Sequence, residues 1–254
     1  MITIGPIDLL LALLFIAGAI ALAFGPYYLA RKVFLGRNTE KTDDLAGSVL
    51  FRIGALHALI LALMFAHVTA QFLKLRNAVT EEAAATSDVY HDLERYGDSE
   101  ITEIIRRDMA LYAGTVINEE WPLLESRQLS GNAWAQWRKV MNAILDLEPE
   151  SRRQIDLRAF MLADMESIAR FRERRQIGSK GNVPPMFWVV AIAGFVLISL
   201  PYFVFEPSPT NKMLIGIFAA YNGLVLYVIY ATGHPFATPV AVDPAPFRVV
   251  FGNI

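Results

Sequence analysis

The sequence predicts an all-α integral membrane protein, with four transmembrane helices and a helical polar domain between the second and the third. Three observations predict it. Hydrophobic residues make up 54% of the 254 residues and charged residues only 19%, which is more apolar mass and less charge than a soluble domain carries. The apolar residues gather in four runs, 7–30, 49–72, 185–205 and 213–232, each near the roughly 20 residues that a helix needs to cross a bilayer. The polar stretches repeat apolar residues at helical spacing, and none alternates as a strand would.

The first run contains Ala-Leu-Ala at 21–23, which has the look of a cleavage site. No Lys or Arg precedes Arg31, so the basic segment of a signal peptide is missing and a retained span is expected. The second run continues into the polar region with no Gly or Pro until Gly97, which predicts one helix passing from the membrane into the domain. A second polar helix is expected from the capping residues before Glu100, with Ile101, Ile104, Ile105, Met109, Tyr112 and Val116 at helical spacing. Two more follow over 132–147 and 149–176, with Pro149 suited to the first turn of the latter. The last two spans are joined by the short segment 206–212. The expected division is therefore spans one and two over 1–73, a helical cytoplasmic domain over 74–183, spans three and four over 184–232, and a cytoplasmic tail over 233–254.

Orientation follows from Lys and Arg near the span ends. The polar domain's flanks hold Lys74, Arg76, Arg170, Arg172, Arg174, Arg175 and Lys180, and the tail holds Arg248; the other side holds Arg31, Lys32, Arg37, Lys41 and Lys212. The excess places the domain and both termini in the cytoplasm. A net charge of −2 gives no reason to expect a nucleic-acid partner, and the absence of cysteine excludes disulfide and thiolate chemistry.

The second span carries the candidate site. At 100° per residue, Ile53, His57, Ile60, Met64, His67 and Gln71 fall within an arc of about 80°. Gly54, Ala58, Ala62, Ala66 and Ala70 form an i, i+4 row elsewhere on the helix, the kind of small-residue ridge that lets helices approach closely in lipid. A stripe with ionisable groups faces a bundle interior or a water-filled path. Two readings stay open. Each histidine hydrogen-bonds a neighbouring helix, or the stripe lines a pore in a symmetric oligomer, with Ile60 and Met64 as a dewettable constriction. In the first case Ser199, Tyr202, Tyr221, Asn222, Tyr227 and Tyr230 are the available partners. The two histidines stand about 15 Å apart along the helix, so one chain cannot chelate a metal with both. No other span offers a histidine for haem. No metal or other cofactor is expected.

Enzyme motifs are missing: there is no phosphate loop, no H-E-x-x-H and no G-x-S-x-G. The acidic group Glu81, Glu82, Asp88, Asp92 and Glu94 with His91 supplies one D-x-x-H and no second, short of a di-iron site, and is expected as a solvated helix face. The basic run 170–175 is expected as a solvated face near anionic lipid. In 119–124, Glu-Glu-Trp-Pro-Leu-Leu, a structural role is expected, with Trp121 buried and Pro122 bending or restarting a helix.

Four stretches in this order resemble the bestrophin-like membrane proteins of bacteria. They are 81–90 at the end of the second-span helix, 119–124, 183–188 after an Arg-rich helix end, and the tail 233–247 with its Pro-Phe and Val-x-Pro-x-x-Phe elements. One departure is Gly233 and His234, where that family often places an acid before Pro-Phe. The resemblance implies a multi-pass protein of the bacterial inner membrane, distantly similar to bestrophins. Those are pentameric ion channels with four spans, cytoplasmic termini and a pore lined by the second span. It implies self-association as a homo-oligomer, a pentamer, in a lipid bilayer and passage of small inorganic ions. The competing expectation is a non-conducting scaffold or accessory subunit whose helical domain recruits a cytosolic protein.

Overall fold

A computed structural model of the chain describes residues 5–34, 40–97, 99–181 and 183–251. Arg37, Asp98, Asn182 and Ile254, used above for orientation, capping and boundaries, lie outside them, as does the side chain of Lys41. The described residues form helices and no strand. They are α1 (Pro6–Phe34), α2 (Glu40–Tyr96), α3 (Glu100–Thr115), a π-helical turn (Val116–Glu120), α4 (Trp121–Leu124), α5 (Gly131–Leu145), α6 (Arg152–Ser179), α7 (Pro185–Ser199), a 3-10 turn (Leu200–Val204), α8 (Pro209–Thr232) and α9 (Ala245–Phe251).

Among the described residues, four helices are long and apolar enough to cross a membrane, within Pro6–Phe34, Thr42–Tyr96, Pro185–Val204 and Pro209–Thr232. The second is a single helix of 57 residues. It stops at Gly97, whose φ of +146° is open to glycine and closed to most other residues. The third span ends in a 3-10 turn at Pro201, which has no N–H to continue the α-helical ladder. At the start of α6, Ser151 is the N-cap and forms a capping box with Gln154. Pro149 therefore precedes the helix instead of occupying its first turn.

The chain forms two compact units. One comprises Met1–Ala70, Asn182–His234 and Thr238–Val240; the other comprises Gln71–Gly181, Pro235–Ala237 and Ala241–Ile254. In the first, α1 and α8 approach so closely at Gly223 that a Cβ there would lie 2.7 Å from the Phe15 carbonyl oxygen and 2.8 Å from Ile16 Cα. Ala19 and Ala23 continue this contact with Ile215 and Ala219. Asp8 accepts hydrogen bonds from the Gly5 N–H and the Thr238 hydroxyl, both at 2.8 Å, which ties Thr238 to the start of α1. In the second unit, Leu93, Ile105, Met109, Val140, Ile144, Met165, Ile168 and Phe247 share one core. Ile105, Met109 and Tyr112 of α3 and Val116 of the π-helical turn are turned inward, while Ile101 and Ile104 stay exposed.

Candidate functional site: the second span and a buried ionic cluster

One flank of α2 packs against the chain's own spans. Leu61, Met64 and Val68 join Ala191 of α7 and Leu226 and Ile229 of α8, with Ile60 at the edge. His57 lies on this flank and is only 4% exposed. A Cβ at Gly194 would sit 2.7 Å from His57 Nδ1, so the bare glycine backbone is what admits the ring. Phe195 lies beside it, with ring centroids 6.3 Å apart. Among the described residues, neither ring nitrogen of His57 has a hydrogen-bond partner. Asn222 is the polar neighbour but stays outside hydrogen-bond geometry, donating to the Phe218 carbonyl of its own helix at 2.9 Å. Ser199 likewise donates to Phe195 at 2.8 Å.

The opposite flank is uncovered. Arg52, Leu59, Leu63, Ala66 and Ala70 fall within an arc of about 60° and are all exposed. Leu59 and Leu63 are 56% and 62% exposed. His67 is exposed too, with its ring 6.2 Å from that of Phe187. Ionisable groups such as Arg52 and His67 are costly to leave against lipid.

The second unit holds a group that the sequence reading missed. Glu82 of α2, Glu120 of the π-helical turn, and Arg172 and Arg175 of α6 form a buried ionic cluster. Arg175 Nη1 donates to Glu82 at 2.7 Å and its Nη2 to Glu120. Arg172 donates to Glu120 at 2.7 and 3.2 Å and to the Ser130 carbonyl at 3.1 Å. The Tyr112 hydroxyl donates to Glu82 at 3.0 Å. Trp121 and Trp134 lie under the Arg175 and Arg172 guanidinium groups at 5.2 and 5.3 Å, within cation–π range.

Two carboxylates face two guanidinium groups, so the cluster is neutral when all four are ionised. Burial pushes the Glu82 pKa up, against the pull of Arg175 and the Tyr112 hydroxyl. Burial opposes the charge on Arg175, but Glu82 and Glu120 outweigh it and raise its pKa. Burial and Glu82 together hold Tyr112 well above its ordinary value, so it remains a hydrogen-bond donor. The π-helical turn adds a residue to the helix at the segment that carries Glu120 inward. This corrects two expectations. Arg172 and Arg175 do not belong to a solvated face, and Glu82 is fully buried, leaving Glu81 as the exposed acid of that pair.

A sequence profile of the Bestrophin-like domain matches residues 17–247. The chain belongs to the bestrophin-like family. Three crystal structures of a bacterial bestrophin homologue from Klebsiella pneumoniae, two with a single substitution, share the fold of this bestrophin-like chain. Their TM-scores are 0.67, 0.66 and 0.65 at 13%, 12% and 13% identity. The matches cover 94%, 95% and 95% of this chain and 99%, 98% and 99% of those chains. No curated protein matches by sequence.

In the bestrophin-like chain, the predicted stripe divides. His57 and Met64 turn into the chain's own spans; Ile53, Ile60 and Gln71 are half-buried; His67 is exposed. The small-residue ridge is not a contact within the chain. Ala58, Ala62, Ala66 and Ala70 are exposed, and a Cβ at Gly54 would meet nothing within 4 Å. The close approaches within the chain use Gly194 and Gly223 instead.

Proposed function

We propose that this chain is the subunit of a homo-oligomeric ion channel, a pentamer as the bestrophin resemblance implies, with α2 lining the pore. Family membership supports the class. The observation that carries the reading is the uncovered flank of α2, where Arg52 and His67 accompany Leu59, Leu63 and a row of alanines. In a ring of copies this flank meets a central aqueous path, and the alanines let neighbouring α2 helices approach. Leu59 and Leu63 supply the apolar constriction first assigned to Ile60 and Met64. Among the stripe residues, His67 borders the path, and His57 is a packing residue.

Small inorganic ions are the cargo, and the reading involves no enzymatic step. The inner membrane is its place, with both termini and residues 74–183 cytoplasmic. The Asp8–Thr238 hydrogen bond supports a common side for the start of α1 and the tail. A reporter active only in the periplasm, fused after Ile254, is then silent.

One observation favours the alternative of a non-conducting scaffold: His57 and Met64 are buried against the chain's own spans. Purified protein in nanodiscs, weighed by native mass spectrometry and reconstituted for ion flux, separates the two. A closed ring with flux supports the channel; a monomer, or ion-tight liposomes, supports the scaffold.

A further inference from the structure

The Arg-rich end of α6 sorts its cations into different roles. Arg172 and Arg175 turn inward to Glu120 and Glu82. Arg170 stays outside but pairs with Glu166 at 3.7 Å and Ser167 at 2.9 Å. Arg174 is exposed, lies 5.5 Å over the Phe171 ring, and has no carboxylate partner among the described residues.

Three more cations without an ion pair among the described residues lie beside the same helix contact. Leu75 of α2 packs against Gly178 of α6, where a Cβ would lie 2.9 Å from Leu75 Cδ1. Lys74 and Arg76 flank Leu75 in sequence; Arg174 and Lys180 flank Gly178. All four are exposed. Ile177 stands among them and is 58% exposed. Glu173 is the acid within this stretch of α6, which leaves the group cationic.

Chain connectivity sets the level of this group. Lys74 and Arg76 directly follow the apolar run of the second span, and Lys180 precedes Pro185 of the third by little more than one helical turn. Residues so close to two span ends lie at the headgroup layer. Clustered Lys and Arg at that level attract anionic lipid, and an exposed aliphatic side chain enters the acyl boundary.

We infer that Lys74, Arg76, Arg174 and Lys180, with Ile177 as an apolar anchor, form a docking surface for anionic phospholipid headgroups. It rests on the membrane reading above, and not on conduction. Charge complementarity favours the anionic headgroup over a zwitterionic one, and Ile177 favours a lipid over a soluble anion.

The full-length protein is placed in nanodiscs of phosphatidylcholine alone, or with roughly one third phosphatidylglycerol. Its thermal unfolding is followed at low and high salt. Phosphatidylglycerol raises Tm by at least about 3 °C, and most of the gain disappears near 1 M salt, where the Debye length falls to about 3 Å. The Lys74→Gln/Arg76→Gln/Arg174→Gln/Lys180→Gln variant loses at least half of the gain. The Arg152→Gln/Arg153→Gln variant keeps it. Inorganic phosphate with phosphatidylcholine discs gives no comparable shift; an equal shift overturns the lipid assignment. If the quadruple variant does not fold, the wild-type lipid and salt series decides alone. Equal Tm in both lipids overturns the proposal while leaving the membrane reading intact. Failure to enter either disc is the result that breaks the membrane reading itself.

Discussion

Arg175 Nη1 stands 2.7 Å from the Glu82 carboxylate, and both side chains are wholly buried. The pair joins α2 to α6, and Glu120 ties the π-helical turn to the same guanidinium. Removing one partner from such a pair leaves an uncompensated buried charge, at a cost of roughly 3–5 kcal/mol. Arg175→Met strands Glu82 without a cationic partner, leaves Glu120 to Arg172 alone, and should lower Tm sharply in detergent. Adding Glu82→Gln to Arg175→Met should recover part of the loss, because the stranded charge is then gone. Equal Tm for wild type and Arg175→Met would mean that the cluster contributes nothing to stability.

The histidine in the span core makes a second prediction. A methyl at position 194 meets His57 Nδ1 at 2.7 Å, so Gly194→Ala should push α7 from α2 or displace the ring. Overpacking of this kind costs about 1–3 kcal/mol. His57→Ala in the Gly194→Ala background should restore stability that His57→Ala alone does not add. The paired measurement is a double-mutant cycle on Tm. Additive changes would show that the two residues do not meet in the folded protein.

These cases show what was legible in the sequence. Four spans and the long α2 were visible because hydropathy and the absence of Gly and Pro fix them locally. The buried cluster was visible in part. Arg172 and Arg175 continue the arc of Met161, Met165 and Ile168 on α6, and Glu82 continues that of Val79, Thr86, Val89 and Leu93 on α2. Weighting them as charges hid the fact that they occupy core positions. The stripe around His57 follows from helical spacing alone. Which neighbour covers that face depends on Gly194 and Gly223, and a lone glycine in an apolar run does not name its contact. The π-helical turn left no periodic signal, since one added residue resembles ordinary helix.

Acid sensitivity provides a third test. Burial raises the Asp164 pKa, and the nearby carboxylates of Asp88 and Asp92 raise it further. The folded chain then holds this proton more tightly than the unfolded chain. The contribution to stability is fully present below the unfolded aspartate pKa and is lost as pH rises through the higher folded value. Asp164→Asn removes both the titration and the repulsion. It should raise Tm at neutral pH and flatten the decline of Tm with rising pH just above the ordinary aspartate range. An unchanged Tm–pH profile would show that Asp164 does not feel its neighbours.

The last prediction separates the two flanks of α2. Met64 is 2% exposed within the chain. Met64→Ala therefore opens a packing defect worth roughly 2 kcal/mol, at the low end for a core methionine because lipid offers little transfer gain. Its effect should be on Tm, with little on flux. Leu59 and Leu63 face away from the chain's own spans. Leu59→Asn/Leu63→Asn should wet an apolar constriction and raise ion flux in liposomes several-fold, with a smaller change in Tm. The histidines should divide in the same way. His67→Arg places a ring of fixed positive charge on the path, favouring anions and opposing cations. Anion-over-cation preference should then rise in His67→Arg and stay at the wild-type value in His57→Ala. Flux that rises with Met64→Ala and not with Leu59→Asn/Leu63→Asn would return the pore to the His57 flank. Liposomes that stay ion-tight for wild type and for Leu59→Asn/Leu63→Asn at every pH would leave the scaffold as the function.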